Sequence, residues 1–271
     1  MPISTALIVE PRSHPASLPA LKNVRENLGP DVPIIWFHGT DNKEFAENIA
    51  NEVSNVRLRE ISVNNLSRGQ YSGFINNQAL WKEMKHYSHH CPNSKTLLFQ
   101  TDSGFCQYDT EKALNALKEL DHLDYVGAFA TTHQNGGFSY RDNEASRRIV
   151  ADYKQEEYLE DDDSGLWDSG YWLTEWKPTK KGVEEDRVFS AHCNERTNCQ
   201  KANQDEATSF ACCTVRGPHS KADSQFEPPL AFHGHHHHLI GRGQPWKNLQ
   251  EFFEDCPAAA DIFGHLKQFQ K

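Results

Sequence analysis

Three groups of side chains in this chain could do acid, base or metal chemistry. Asp102 closes the run Lys95-Thr96-Leu97-Leu98-Phe99-Gln100-Thr101-Asp102, Glu185 and Asp186 stand side by side, and His233 sits in Phe232-His233-Gly234. Carboxylate oxygen and imidazole nitrogen suit Mn2+ or Mg2+ better than thiolates would. A divalent ion neutralises a departing diphosphate, and a nearby carboxylate takes the proton from an attacking hydroxyl. Those are the needs of sugar transfer from a nucleotide-sugar diphosphate. Asp102 is therefore expected to ligate a metal, with His233 as its companion. Glu185 or Asp186 is expected to supply the base while its neighbour holds acceptor hydroxyls. Each acid also has a plainer use: Asp102 as a cap for the turn at Gly104, the pair as a complement to the positive end of a helix.

Other residues add to this set. Glu10-Pro11-Arg12 follows an apolar run, and an Arg there could reach a diphosphate or a uracil edge. Gly136-Gly137 would let backbone N–H groups approach a sugar or phosphate closely. Trp167, Trp172 and Trp176 could stack on sugar rings, although aromatic side chains more often pack in a core. Cys193, Cys199, Cys212 and Cys213 with His192 lack a paired C-x-x-C knuckle, which disfavours zinc. The run His235-His236-His237-His238 reads as a solvated loop, so His233 is the better ligand.

The elements that must position these residues alternate. Thr5–Val9, Pro33–Phe37 and Val56–Ile61 read as strands, separated by helices over 18–28 and 43–53, with Asp41 as the second helix's cap. Such alternation predicts a parallel sheet with helices on both faces. Asn64 to Gly73 reads as a loop, Phe74 to Tyr87 as one helix, Thr96–Phe99 and Tyr125–Phe129 as further strands. Thr110 to Leu120 reads as a helix capped by Asp109 or Thr110. Asn135 to Arg141 is expected to form a glycine-paired turn, with a helix from Arg141 to Lys154. Glu156 to Asp163 reads as a solvated acidic loop, Gln204 to Val215 as a helix, and two short helices end the chain. An acid at the tip of a central strand in such a fold faces the crevice where ligands bind.

A chain of 271 residues without internal repeats or a long linker is expected to form one domain, 1–271. Residues up to about 130 would form its nucleotide-binding half, the remainder its acceptor-binding and catalytic half. A net charge of −10 argues against nucleic acid as partner. No apolar run is long enough to cross a bilayer and no signal-type segment leads the chain, so a soluble, cytoplasmic protein without membrane insertion is expected. Seven cysteines, an odd number, point to free thiols in a reducing compartment.

Taken in order, several motifs resemble a family of GT-A-type glycosyltransferases, formerly of unknown function, found in microbes and in large DNA viruses of algae and protists. They are Leu7-Ile8-Val9-Glu10-Pro11-Arg12, Phe37-His38-Gly39, Tyr71 with Trp81, Phe99-Gln100-Thr101-Asp102, Asp124 to Ala128, Asn135 to Ser139, Glu185 to Phe189 and Phe232-His233-Gly234. The resemblance spans roughly residues 5 to 240, and the ordered set is more specific than any one motif. It implies a GT-A-like nucleotide-binding mixed sheet, mostly parallel, whose metal motif is usually Asp-x-Asp. Gln100 replaces the first acid here, which leaves Asp102 as the direct carboxylate ligand. The motif order is also similar to inverting galactosyl- and fringe-type transferases. That similarity implies Asp186 as base, His233 as second metal ligand, and Glu185, Trp172 and Gly137 on the acceptor. Glu10, Arg12, Tyr71, Gln100, Thr101, Asn135 and Gly136 would meet the nucleotide sugar. A UDP-sugar donor (first choice UDP-xylose), a glycan acceptor and Mn2+ or Mg2+ complete the expectation, with the host cytoplasm as the place of action if the chain is viral. With one sure carboxylate, the ion should be weakly held and arrive with its nucleotide.

Two other functions fit parts of the sequence. A metal-dependent phosphoesterase or nucleotide-sugar hydrolase would draw on Asp102, His233 and the histidine run as a two-metal site. A non-catalytic carbohydrate-binding protein would use the tryptophan cluster.

Overall fold

The computed structural model describes residues 3–88, 94–129, 134–157, 183–213, 228–234, 246 and 248–264. Trp167, Trp172, Trp176 and His235 to His238 lie outside them.

The first half alternates as expected: β1 (Thr5–Val9), α1 (Ser17–Leu28), β2 (Ile34–Gly39), α2 (Lys43–Glu52) and β3 (Val56–Ile61). Then come α3 (Arg68–Ile75), α4 (Gln78–Tyr87), β4 (Lys95–Phe99), β5 (Ser103–Phe105), α5 (Thr110–Glu119), β6 (Tyr125–Phe129) and β7 (Gln134–Asp142). The remainder is α6 (Asn143–Glu157), α7 (Glu185–His192), α8 (Gln204–Phe210), β8 (Ala211–Cys213), β9 (Ala231–His233), α9 (Leu249–Asp255) and α10 (Ala259–Ile262).

Among the described residues the strands form one mixed sheet of nine in the order β3-β2-β1-β4-β7-β6-β8-β9-β5. The β3-β2-β1-β4 portion is parallel, β7 runs antiparallel to both β4 and β6, and β8 joins β6 and β9 in parallel. Strand β5 pairs antiparallel with β9, so it lies at an edge of the sheet although it follows β4 directly in the chain. The expected mixed, mostly parallel α/β architecture is therefore the observed one.

The apolar runs that read as strands are apolar because both sheet faces are covered. Ala6, Ile8, Ile34, Trp36, Leu97 and Phe99 point into a core closed by α1, α2, α5, α8 and the C-terminal helices. Leu7, Val9, Ile35, Phe37 and Leu98 point into a second core closed by α3, α4, α6 and α7. The pleat sends alternate residues to opposite faces, so each run serves two helical layers.

Several expectations fail for local reasons. The segment read as a loop contains α3, whose start is fixed by a reciprocal Ser67–Gln70 capping box. Asn76 and Asn77 then divide what reads as one helix, and the Asn77 side chain caps α4. Asp41 caps nothing; its backbone N–H donates to Asn64 Oδ1 (2.8 Å), and α2 starts after Asn42. Asp109 does cap α5, accepting the N–H of Lys112 at 2.9 Å. The Asn135–Arg141 segment is strand β7 rather than a turn, so α6 begins two residues later than expected. The helix expected to reach Val215 gives way at Ala211 to β8.

The thiol expectation also falls. Cys106 is bonded to Cys256, and Cys193 to Cys199. The second bond consumes two of the sulfurs weighed for zinc, and the pair together removes the thiol argument for a reducing compartment. No helix among the described residues is long and apolar enough to cross a membrane.

Candidate functional site

Strand order decides where a ligand can enter. From β1 the chain adds β2 and β3 to one side, then crosses to place β4 on the other, so the order reverses between β1 and β4. Crossover connections diverge at such a point and leave a crevice at the carboxyl ends of the two strands. A cleft of about 380 Å³ lies there. Its walls are Val9 to Arg12 from the end of β1, Gln100 to Asp102 from the end of β4, Arg68 and Tyr71 from α3, and His14, Ala16, Leu66 and Phe263. Glu10, Arg12, Tyr71, Gln100, Thr101 and Asp102, all singled out from sequence, share this one cavity.

Arg12 and Glu10 form a two-pronged ion pair on the rim, Nε to Oε1 and Nη2 to Oε2, both at 2.8 Å. The fork orients the guanidinium and leaves it half exposed, its charge facing the cleft. The hydrogen bond to Glu10 holds the Arg12 pKa above its ordinary value.

Beyond Asp102 the chain reverses through a tight turn. Ser103 Oγ accepts the Gln100 N–H at 2.9 Å, and the chain re-emerges as β5. Antiparallel pairing sets Ser103 opposite His233, and Gly234 N donates to the Asp102 carbonyl at 3.1 Å. This register brings together residues 131 positions apart. His233 Nε2 lies 3.8 Å from Asp102 Oδ1 and 3.1 Å from Gln100 Oε1. One carboxylate and one imidazole nitrogen side by side are chemically suited to Mn2+ or Mg2+. No group of three or more His, Cys, Asp or Glu suited to an ion is gathered among the described residues. The pair fits an ion whose other ligands come from water or phosphate.

Gly136 and Gly137 sit where β7 departs from regular pairing. Gly127 pairs with Ser139, but Ala128 pairs with Asn135, so Gly136, Gly137 and Phe138 form a bulge against β6. Bulges re-aim backbone beside functional sites. The glycines are required by contact. A Cβ on Gly137 would collide with His233 Nε2 and lie 2.7 Å from Gln100 Oε1. One on Gly136 would lie 2.5 Å from Arg141 Nη2 and 2.9 Å from Glu185 Oε1. Adjacent Cα atoms are about 3.8 Å apart. A single peptide thus links the Asp102–His233 cluster to the acid pair.

The acids stand in the first turn of α7, whose exposed N–H groups favour negative charge. Three contacts from α3 and the Asn76 that follows it fix this end. Arg68 Nη2 meets Glu184 Oε1 at 2.8 Å, Asn76 Nδ2 donates to the Val183 carbonyl at 3.2 Å, and Ser72 Oγ donates to Glu185 Oε2 at 2.7 Å. Asp186 is 4 % exposed, and its Oδ1 accepts the Arg187 N–H at 2.8 Å. Burial raises the Glu185 pKa, and the Asp186 charge adds to the rise; Arg141 and Ser72 oppose it. Tyr71, between the two clusters, is raised above its ordinary value by burial and then by Glu185.

Six of the expected residues thus line one cleft, His233 and Gly137 adjoin it at Gln100, and Gly136 lies beside Glu185; Asp186, next to Glu185 in the chain, is buried with its carboxylate on the Arg187 N–H. Asn135 acts locally, its side chain accepting the Gly137 N–H at 2.9 Å. Trp172 lies outside the described residues. Ser72, Arg68 and Arg141 were not anticipated: a helical Ser, an exposed Arg and a strand Arg have no local pattern that marks them. Zinc is excluded at Cys193 and Cys199 by their disulfide.

A family model described as "Protein of unknown function (DUF5672)" matches residues 55–233, and no curated protein matches the chain. Among solved structures, 4-diphosphocytidyl-2C-methyl-D-erythritol synthase from Anaerococcus prevotii DSM 20548 is 14% identical with a TM-score of 0.39, over 76% of this chain and 93% of that one. The glycosyltransferase GlyE from Streptococcus pneumoniae TIGR4 is 11% identical with a TM-score of 0.47, over 98% of this chain. Its apo form gives 0.46. The alignment spans 64% of the GlyE chain.

Proposed function

The chain belongs to the DUF5672 family, and we propose that this member is a metal-dependent inverting glycosyltransferase of GT-A-like fold. It would move a sugar from a UDP-sugar, first choice UDP-xylose, to a hydroxyl of a glycan acceptor. One observation carries the reading: the cleft opens at the carboxyl ends of β1 and β4, where the strand order reverses, with Asp102 in its wall and His233 3.8 Å from that carboxylate.

In this reading Arg12, Tyr71, Gln100 and Thr101 hold the nucleotide sugar, and Glu10 orients Arg12. Asn135 supports the Gly136-Gly137 bulge against which the sugar lies. Asp102 and His233 would hold Mn2+ or Mg2+, which when bound offsets the charge of the leaving diphosphate. Glu185 and Gly137 position the acceptor hydroxyl, with Trp172 as a stacking surface. Asp186 takes the hydroxyl proton as the acceptor oxygen bonds to C1 and the C1–O bond to UDP breaks. Bond making on the face opposite the leaving group inverts the anomeric centre. A chain that offers one carboxylate and one imidazole should bind the ion weakly alone and more tightly with UDP.

Calorimetry with UDP and Mn2+ tests the site. Asp102→Ala is expected to abolish Mn2+-dependent UDP binding; Asp186→Asn is expected to keep binding and lose transfer. Normal UDP and Mn2+ binding by the Asp102 variant would sink the metal assignment, and near-native turnover by the Asp186 variant would sink the base. UDP release that never depends on an added sugar acceptor would instead favour a hydrolase.

A further inference from the structure

Among the described residues Arg141 is the largest charged side chain sealed inside the protein, and nothing in the transfer reaction described above uses it. It is 0% exposed. Its guanidinium lies 4.1 Å from the Phe189 ring centre, 5.3 Å from Tyr125 and 5.5 Å from Trp81, an aromatic box built by α7, β6 and α4. Nε donates to Ser139 Oγ at 2.8 Å and Nη2 to the Gly136 carbonyl at 3.3 Å, while Nη1 is buried without a hydrogen-bond partner among the described residues. Guanidinium does not lose its proton in proteins, so this is a permanent buried cation. Ring faces attract it but leave its charge uncompensated. A carboxylate is needed nearby, and the geometry supplies one: Arg141 Nη2 and Glu185 Oε1 flank the place a Gly136 Cβ would take, 2.5 and 2.9 Å from it, close enough for the charges to act on each other without closing to a direct ion pair.

We infer that Arg141 is a positioning residue: its buried charge holds the Glu185 carboxylate in place against the Gly136-Gly137 bulge while its hydrogen bonds fix the bulge itself. The charged and titratable groups facing Glu185 are Arg141 from β7, Asp186 from α7, Tyr71 from α3 and Tyr125 from β6. Arg141 is the sole cation of that set. Removing it leaves burial and Asp186 both acting against the Glu185 charge, and the carboxyl should then bind its proton at higher pH. Any effect on turnover rests on the transferase reading above; the charge interaction does not.

The test needs no substrate. Protein labelled with 13C at Glu carboxyls is titrated by NMR, with Glu185→Gln identifying the Glu185 resonance. In Arg141→Met its midpoint is expected to rise by about 1–3 pH units, the range for a lost opposite charge. Arg141→Lys should recover much of the wild-type midpoint, which a purely packing role would not predict. An unchanged midpoint in a folded Arg141→Met protein overturns the inference. If Arg141→Met does not fold, the double variant Arg141→Met/Glu185→Gln decides. A cooperative melt regained by neutralising Glu185 supports the pairing, and continued failure to fold overturns it. A protein that transfers no sugar at all would defeat the functional proposal and leave this titration result standing.

Discussion

Gly137 is the residue on which the two halves of the site depend, because its missing side chain is the space His233 occupies. Gly137→Ala should displace the imidazole, lowering Mn2+-dependent UDP binding at least tenfold, while overpacking costs about 1–3 kcal/mol of stability. Calorimetry and chemical denaturation separate the two, and unchanged binding would argue against His233 as a ligand. Glu185 gives a pH signature. Its folded pKa is raised, so the stability it contributes is complete below the ordinary carboxylate range and is lost as pH rises through the folded value. Glu185→Gln should therefore gain on wild type as pH rises above the ordinary carboxylate range in denaturant melts; a difference constant with pH would show that the burial is relieved in solution. Asp102, Glu185, Asp186 and His233 could be singled out through the ordered set of motifs rather than one by one, since an acid at a turn or a helix start is common on its own. Arg141 could not, since the rings that enclose it come from positions 81, 125 and 189.

At the scale of elements, strand β5 has one of its edges served by a side chain from another layer. One edge of β5 pairs with β9; the other is met by the buried amide of Asn23 on α1. Its Nδ2 donates to the Phe105 carbonyl at 3.0 Å, and its Oδ1 accepts the Phe105 N–H at 2.8 Å. The amide acts as a one-residue strand partner. Asn23→Ala would leave two buried backbone groups unpaired at about 1–3 kcal/mol each. Thermal unfolding should show that loss together with weaker UDP and Mn2+ binding, because β5 carries the turn that aims Asp102. A stability loss with full binding would separate the clamp from the site. The strands β1, β2, β4 and β6 were readable because each is a run of apolar residues buried on both faces. Strands β5, β8 and β9 were not, being three residues each and defined by partners far away in sequence. The bulged β7 looked like a turn because Asn-Gly-Gly is turn chemistry, and only pairing to β4 and β6 makes it a strand.

For the molecule as a whole, the two disulfides differ in reach. Cys106–Cys256 ties the end of β5 to the helices that carry Phe263 into the cleft, across a separation of 150 residues; Cys193–Cys199 spans 6. On the loop-entropy model the first is worth roughly 5 kcal/mol and the second about 2. Cys106→Ser/Cys256→Ser should accordingly lower the melting temperature more than Cys193→Ser/Cys199→Ser, and calorimetry that reversed this order would mean the long bond is absent in solution. Neither pairing could be read from seven cysteines in a row of spacings.

The edge position of β5 has one more consequence, for the moment of synthesis. A chain made from its amino end exposes the cleft walls of β1 and β4 early, yet β5 has no ladder partner until residues 231–233 follow. The nascent protein can therefore display a crevice long before it can grip an ion, and the Asp102–His233 pair is among the last features of the sheet to come into being.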